Sequence, residues 1–196
     1  MSAPDTTAGP LAAGVTLAPA RADVVELAAL RERVQVLKAF AARRAVGLAA
    51  PGRVVAVRDR LCICVRPERW LLLTAPVAAG LVASGWREAC TGMAAVVDLS
   101  SGLLGLYLAG THTREVLARG CRLDLDPHVF PAGHSAATII AQVTTILAAL
   151  PAGMLILTPA STARHFREWL EGAARPFGLA RSAEVTVTAL SGESNS

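Results

Sequence analysis

The chain has 196 residues, 53% hydrophobic and 17% charged, with a formal net charge of +4. That length buries a real core, as one large domain or two small ones. A charged fraction well under the roughly 25% of ordinary soluble domains excludes a comfortably solvated monomer, leaving a membrane or a surface covered by another protein.

The membrane option fails on pattern. No Asp, Glu, Lys or Arg occurs from Pro127 to Ala163, but Gln142, Thr144 and Thr145 interrupt the most apolar part and Pro151-Ala152-Gly153 falls inside it. The two runs IIAQVTTILAAL and GMLILT are too short to span as helices and suit two strands joined at the Pro/Gly turn. The start MSAPDTTAGPLAAG lacks the basic end and apolar core of a signal peptide, so a cytoplasmic location is expected.

Taken in order, residues 1–20 read as a disordered tail of Ala, Pro, Gly and Thr. RVQVLKA (33–39) alternates like a strand and leads into a short helix, FAARRAVG, stopped by Pro51-Gly52. RVVAV (53–57) and LCICV (61–65) form a hairpin signal around a charged turn, and RWLLLT (69–74) is a further strand. Pro76 sits where a helix through APVAAGLVASGWREA begins. AAVVDLS and LLGLYLAG (94–110) are strands around Ser101-Gly102. Thr111 is an N-cap candidate for a helix over His112–Arg119, closed by Gly120. After the 135–157 strand pair comes a helix over 160–174, with Ser161 or Thr162 near its cap and Phe166, Trp169 and Leu170 on one face. EVTVTAL (184–190) is a last strand, and 191–196 are a polar tail. The result is an α+β unit over 21–190 in two layers, with antiparallel sheets and helices packed on one face. Two small interleaved subdomains meeting near 92–110 are an option.

Candidate chemistry concentrates in GCRLDLDPHVFPAGHSA (120–136). Asp124, Asp126 and His128 alternate and share a face if extended, as metal ligands would. Pro127 breaks that geometry, and the two carboxylates suit capping of backbone N–H groups in a turn equally well. His112, His134 and His165 are isolated. Cys62 and Cys64 share a strand face, as a metal clip or as small buried hydrophobes. Ser100-Ser101-Gly102 lacks the G-x-S-x-G frame, and no glycine-rich phosphate loop is present. Between Arg21 and Arg69 eleven basic and five acidic residues leave a local +6, against −2 elsewhere. An RNA, an anionic cofactor or an acidic partner fits that stretch. One Tyr, four Phe and three Trp offer few platforms for stacking bases, so nucleic acid is not the expected partner.

Four segments in this order carry a family resemblance: RPERWLLLT (66–74), VVDLSSGLLGLYLAG (96–110), the 120–136 stretch continued by TIIAQVTTIL, and LTPASTARHFREWLEGAA (157–174). Gly120-Cys121-x-Leu123-Asp124-Leu125 followed by Phe130-Pro131-x-Gly133 is the most specific mark. Over about residues 24–178 the chain resembles the gamma subunits of bacterial heterotetrameric sarcosine oxidases. The resemblance implies a non-catalytic chain working beside alpha, beta and delta subunits that oxidatively demethylate sarcosine to glycine. Peroxide is formed, and the one-carbon unit leaves as formaldehyde or methylenetetrahydrofolate. It also implies FAD, covalent FMN and NAD on alpha and beta, zinc on delta, and no cofactor on this chain alone.

The implied fold is that of the folate-binding domain of the glycine-cleavage aminomethyltransferase. That family's D-x-S strand, glycine, helix and Asn-Asp fall here on Asp98-Leu99-Ser100, Gly110, the helix from Thr111 and Leu123-Asp124. Leucine replaces the asparagine, which leaves Asp124 as the one weak folate-contact candidate, with Tyr107 the only tyrosine to wall a pterin. A free-standing folate-binding protein and an RNA-binding module using 21–69 are the alternatives to the subunit reading.

Overall fold

LCICV and RWLLLT have no polar face, so a sheet containing them must be covered on both sides. A computed structural model, which describes residues 14–57 and 59–190, shows how. The chain runs β1 (Val15–Arg21), β2 (Asp23–Ala29), α1 (Val34–Arg43), β3 (Val54–Val57), β4 (Arg60–Arg66), β5 (Arg69–Thr74), α2 (Leu81–Ala89) and β6 (Ala94–Asp98). It continues through β7 (Leu103–Ala109), α3 (Thr113–Ala118), β8 (Ser135–Ile140), β9 (Val143–Leu150), β10 (Gly153–Pro159), α4 (Ala163–Ala174), β11 (Leu179–Arg181), β12 (Val185–Thr186) and α5 (Val187–Leu190).

Two sheets result. One is five-stranded and antiparallel, ordered β3-β4-β5-β2-β6. The other is seven-stranded, ordered β11-β1-β7-β10-β9-β8 with β12 also beside β1, and is antiparallel except for the parallel pairs β11 and β12 make with β1. Alternation assigns each strand's side chains to two cores. In the five-stranded sheet, Cys62, Cys64, Trp70 and Leu72 face α1 and α2, while Leu61, Ile63, Leu71 and Leu73 face the other sheet. In the seven-stranded sheet, Leu106, Leu108, Met154 and Ile156 face α3 and α4, while Leu155, Leu157 and Tyr107 face inward. Two helix-on-sheet pairs thus sit back to back, so the expected α+β layering occurs twice. The crossing at 99–102 passes the chain from one sheet to the other.

Several expected elements differ. RVQVLKA is helical, because Leu37 and Ala41, one turn apart, bury against the five-stranded sheet while Val36 and Lys38 face out. IIAQVTTILAAL is two strands, since Ala141 and Gln142 take φ of 49° and 65° in a two-residue hairpin turn. α2 starts at Leu81, after a non-helical connection from Ala75 that turns over 78–80 and ends on left-handed Gly80. Thr111 does not cap α3, a position that His112 holds, whereas Thr162, one of the two residues expected near the cap of α4, is its N-cap; neither makes a side-chain cap bond. EVTVTAL pairs only at Val185–Thr186 and then turns helical, so Val187 and Leu190 plug the space between the sheets. The N-terminal tail assigned to 1–20 gives way to strand from Val15, whose Val15 and Leu17 join the core under α4. Its first thirteen residues and the polar tail 191–196 lie outside the described residues. Among the described residues no helix is long and apolar enough to cross a membrane.

Candidate functional site

The 120–136 stretch is a hydrogen-bonded corner. Asp124 Oδ1 accepts the Asp126 N–H at 2.9 Å, and Asp126 Oδ1 accepts the His128 N–H at 2.8 Å. Both carboxylates, exposed to solvent, are used as turn caps. His128 is exposed as well, and among the described residues no group of three His, Cys, Asp or Glu side chains is placed to hold a metal ion. From α3, Arg114 reaches over the loop and donates to the carbonyls of Leu125 and Phe130, the latter at 2.9 Å. The corner then ties both sheets together. Gly133 N–H donates to Ala149 and Ala149 N–H to His134, both at 2.8 Å, while Val54 N–H donates to Gly133 at 3.0 Å and Ser135 N–H to Gly52 at 2.9 Å. The opening glycine is required because a Cβ on Gly120 would lie 2.4 Å from the Trp169 ring.

Asp98 and Ser100 form a second turn. Asp98 Oδ1 accepts both the Ser100 hydroxyl, at 2.7 Å, and its N–H, at 2.9 Å; the Ser100 oxygen in turn accepts the Val24 N–H at 3.0 Å. The two Ser100 bonds hold the Asp98 carboxyl below the ordinary aspartate range. The serine is therefore occupied as a backbone staple between β6 and β2. Gly110 follows β7 at φ 113°, where a Cβ would strike the Gly14 carbonyl at 2.4 Å. Tyr107 points between the two sheets, whereas Leu123 and Leu125, on either side of Asp124, pack beneath α3 and α4. Tyr107 is thus half-buried between the sheets, while Asp124 is exposed in the loop after α3 with its Oδ1 bonded to the Asp126 N–H, and the two are not arranged as a pterin clamp. These residues do not fit a bound folate.

His112 Nδ1 lies 2.6 Å from Glu115 Oε2 and its ring stacks on Phe177 at 5.1 Å, while His165 is exposed on α4. His134 packs beside Phe130, with ring centroids 5.8 Å apart. Cys62 and Cys64 do share a face, as alternation requires, buried under α1 and α2. Burial pushes the Cys62 thiol up to about 12 and raises Cys64 and Cys90 too. Alkylating reagents at pH 8 should therefore leave Cys62 unlabelled in the folded chain and modify it only in denaturant, as mass spectrometry would read. Rapid native labelling would mean that α1 does not cover β4.

Two surface cavities differ in character. One, of 680 Å³, is lined by Arg164, Arg167, Glu168, Glu171 and Arg181, but the Glu171 carboxylate sits between Arg181, at 2.7 Å, and Arg167, at 3.4 Å. Those three charges satisfy one another. The other, of 370 Å³, lies between the end of α1, the β3–β4 turn and α2; Arg44, Val77, Leu81 and Trp86 line it. The sequence reading missed this groove by extending the helix back to Pro76. Gly80, four residues on, was the available signal that the backbone turns before α2.

The chain thus presents turn-committed carboxylates, buried thiols and exposed aliphatic side chains such as Leu81 and Ile139. Residues 34–175 match the sequence profile of the "Sarcosine oxidase, gamma subunit family". The chain belongs to that family. Its fold matches a chain of the heterotetrameric sarcosine oxidase from Corynebacterium sp. U-96, solved in complex with pyrrole 2-carboxylate, at TM-score 0.74 and 28% identity, covering 90% of each chain. It also matches the glycine cleavage system aminomethyltransferase T from Bartonella henselae at TM-score 0.64 and 16% identity, over 87% of this chain but 48% of the aminomethyltransferase. That second likeness is one of fold, with this chain spanning about half the enzyme's length. No curated protein sequence matches. Membership makes the chain the gamma subunit of a sarcosine oxidase, an oxidoreductase complex, and the strongest sequence mark, GCRLDLDPHVFPAG, is the corner that joins its two sheets.

Proposed function

We propose that this gamma subunit is structural: it supplies shape and contact surface to alpha, beta and delta chains and takes no part in the chemistry. The family match over 34–175, together with a shared fold over nearly the whole length of a heterotetrameric relative, carries the reading. The commitment of Asp98, Asp124 and Asp126 to local N–H groups supports it, since a carboxylate serving as a turn cap is poorly available as an acid or base. The oxidative demethylation of sarcosine to glycine, with peroxide and formaldehyde or methylenetetrahydrofolate as products, then belongs to chains that carry FAD, FMN and NAD, with zinc on delta. This chain works with them in the cytoplasm and binds none of these groups alone.

Co-expression with the flavin-bearing chains tests this. The expected product is one yellow complex of fixed stoichiometry that turns over sarcosine. Within it, Asp124→Ala should leave kcat unchanged within about twofold, because only a turn bond worth about 0.5–1.5 kcal/mol is lost. A gamma chain that never co-purifies with a flavoprotein, or an intact Asp124→Ala complex slowed tenfold or more, overturns the reading.

A further inference from the structure

The basic stretch noted in the sequence finds no use in the corner or in the Ser100 turn, and it borders the second cavity. Of its arginines, Arg21 pairs with Glu184, Arg69 with Glu26 and Arg60 with Asp59. Arg44 has no carboxylate partner among the described residues; its guanidinium lies 4.9 Å over the Phe40 ring at the groove's edge. The groove is apolar between its charges. Val77 is 52% exposed and Leu81 59%, large values for aliphatic side chains that line the same cavity. Trp86 closes it from below with 8% of its surface accessible, and Gly85 leaves open space where a side chain would stand. The wall also holds a buried hydroxyl, Thr74 Oγ1, that has no hydrogen-bond partner.

The rim is built rather than loose. Asp23 Oδ2 accepts the Val77 N–H at 2.9 Å and so fixes the 75–80 connection to the start of β2. An exposed aliphatic pair held in place beside an unpaired guanidinium and a tryptophan is the composition of an interface centre, enriched in aromatic and arginine residues. A charged partner must bring negative charge, because the surrounding stretch carries +6 and the groove's one carboxylate, Asp59, already faces Arg60 at 3.3 Å.

We infer that this groove receives an acidic segment of a sister subunit, one that inserts an apolar side chain between Val77, Leu81 and Trp86 and sets a carboxylate against Arg44. The inference rests on the multi-subunit reading above. Leu81→Glu tests it, because glutamate in the first turn of α2 favours the helix and so leaves the fold intact. Full-length chain is exchanged into the assembled complex and its apparent Kd measured by dilution. Leu81→Glu should weaken retention on the order of 30–100-fold, as loss of an interface centre does. Arg44→Lys should retain affinity that Arg44→Glu loses. Ile139→Glu, equally exposed at 59% but on β8, should change little.

Wild-type chain that does not assemble removes the multi-subunit reading and this inference together. Wild-type chain that assembles, with Leu81→Glu retained as well as Ile139→Glu, removes the inference alone. Self-association of the isolated chain that Leu81→Glu abolishes, with complex affinity untouched, assigns the groove to a second copy and overturns the sister-subunit occupant.

Discussion

Replacing Phe166 with alanine should cost the gamma subunit about 3–5 kcal/mol of unfolding free energy, the range for removing a fully buried aromatic side chain. Phe166 has no accessible surface and lies where α4 meets the seven-stranded sheet, among Leu106, Leu108, Leu117 and Ile156. Its ring is 5.8 Å from that of Trp169, which itself covers Gly120. The strands behind it are fixed by ladder bonds on both sides, so the cavity left by alanine closes only in part. Total stabilities of about 5–15 kcal/mol make such a loss large, and for a chain of this size it corresponds to roughly 6–20 °C in Tm. Urea unfolding of wild type and variant measures it. A loss under about 1 kcal/mol would mean α4 is not seated on the sheet as described.

The same region shows what the sequence made legible and what it hid. Phe166 and Leu170 announce one face of a helix by spacing alone, and that face is buried. LCICV and RWLLLT announce strands by length and composition, and both are central strands covered on two sides. Val15–Arg21 was hidden because its second half, Ala18-Pro19-Ala20, continues the Ala/Pro/Gly composition of the preceding residues, although Val15 and Thr16 are β-branched. Its strand character comes from tertiary pairing with β7, where Gly105 lets the Ala20 backbone approach closely. The Ala141-Gln142 turn hid for a related reason: neither residue is the Asn or Gly that normally marks φ > 0, and the turn is imposed by the pairing of β8 with β9. RVQVLKA alternates over too few residues to distinguish period 2 from the three- and four-residue spacing of Val34, Leu37 and Ala41.

The candidate site divides similarly. Local chemistry was readable: Asp-x-Asp before proline suggested turn caps, and turn caps are present. Relations across the fold were not. No spacing rule puts Tyr107 between the sheets and Asp124 in an exposed loop away from it, because that depends on where the chain runs after α3. The groove beside Arg44 is likewise assembled from three elements separated in sequence by a hairpin and a strand. Surfaces assembled from distant segments are what motif reading reaches last.

Arg114 offers the sharpest test of the corner. Arg114→Ala removes two bonds from a guanidinium to the Leu125 and Phe130 carbonyls, bonds of a class worth about 1.5–3 kcal/mol each when one partner is charged. Arg114 is half-buried, so screening by water places the expected total below the sum of the two bonds, at about 2 kcal/mol. Lysine should recover only part of it, because one ammonium cannot match the planar fork that reaches both carbonyls. The effect should also be local in a way that a general packing loss is not. With the loop over 124–131 released, the Gly133, Ala149 and Val54 amides, which bond across the junction of the two sheets, should exchange with solvent faster, while those in β5 and β10 keep their protection. Amide exchange followed by mass spectrometry separates the two cases. Uniform acceleration would make Arg114 one packing residue among many, and acceleration confined to the junction makes the family's most specific sequence mark the clasp between its two halves.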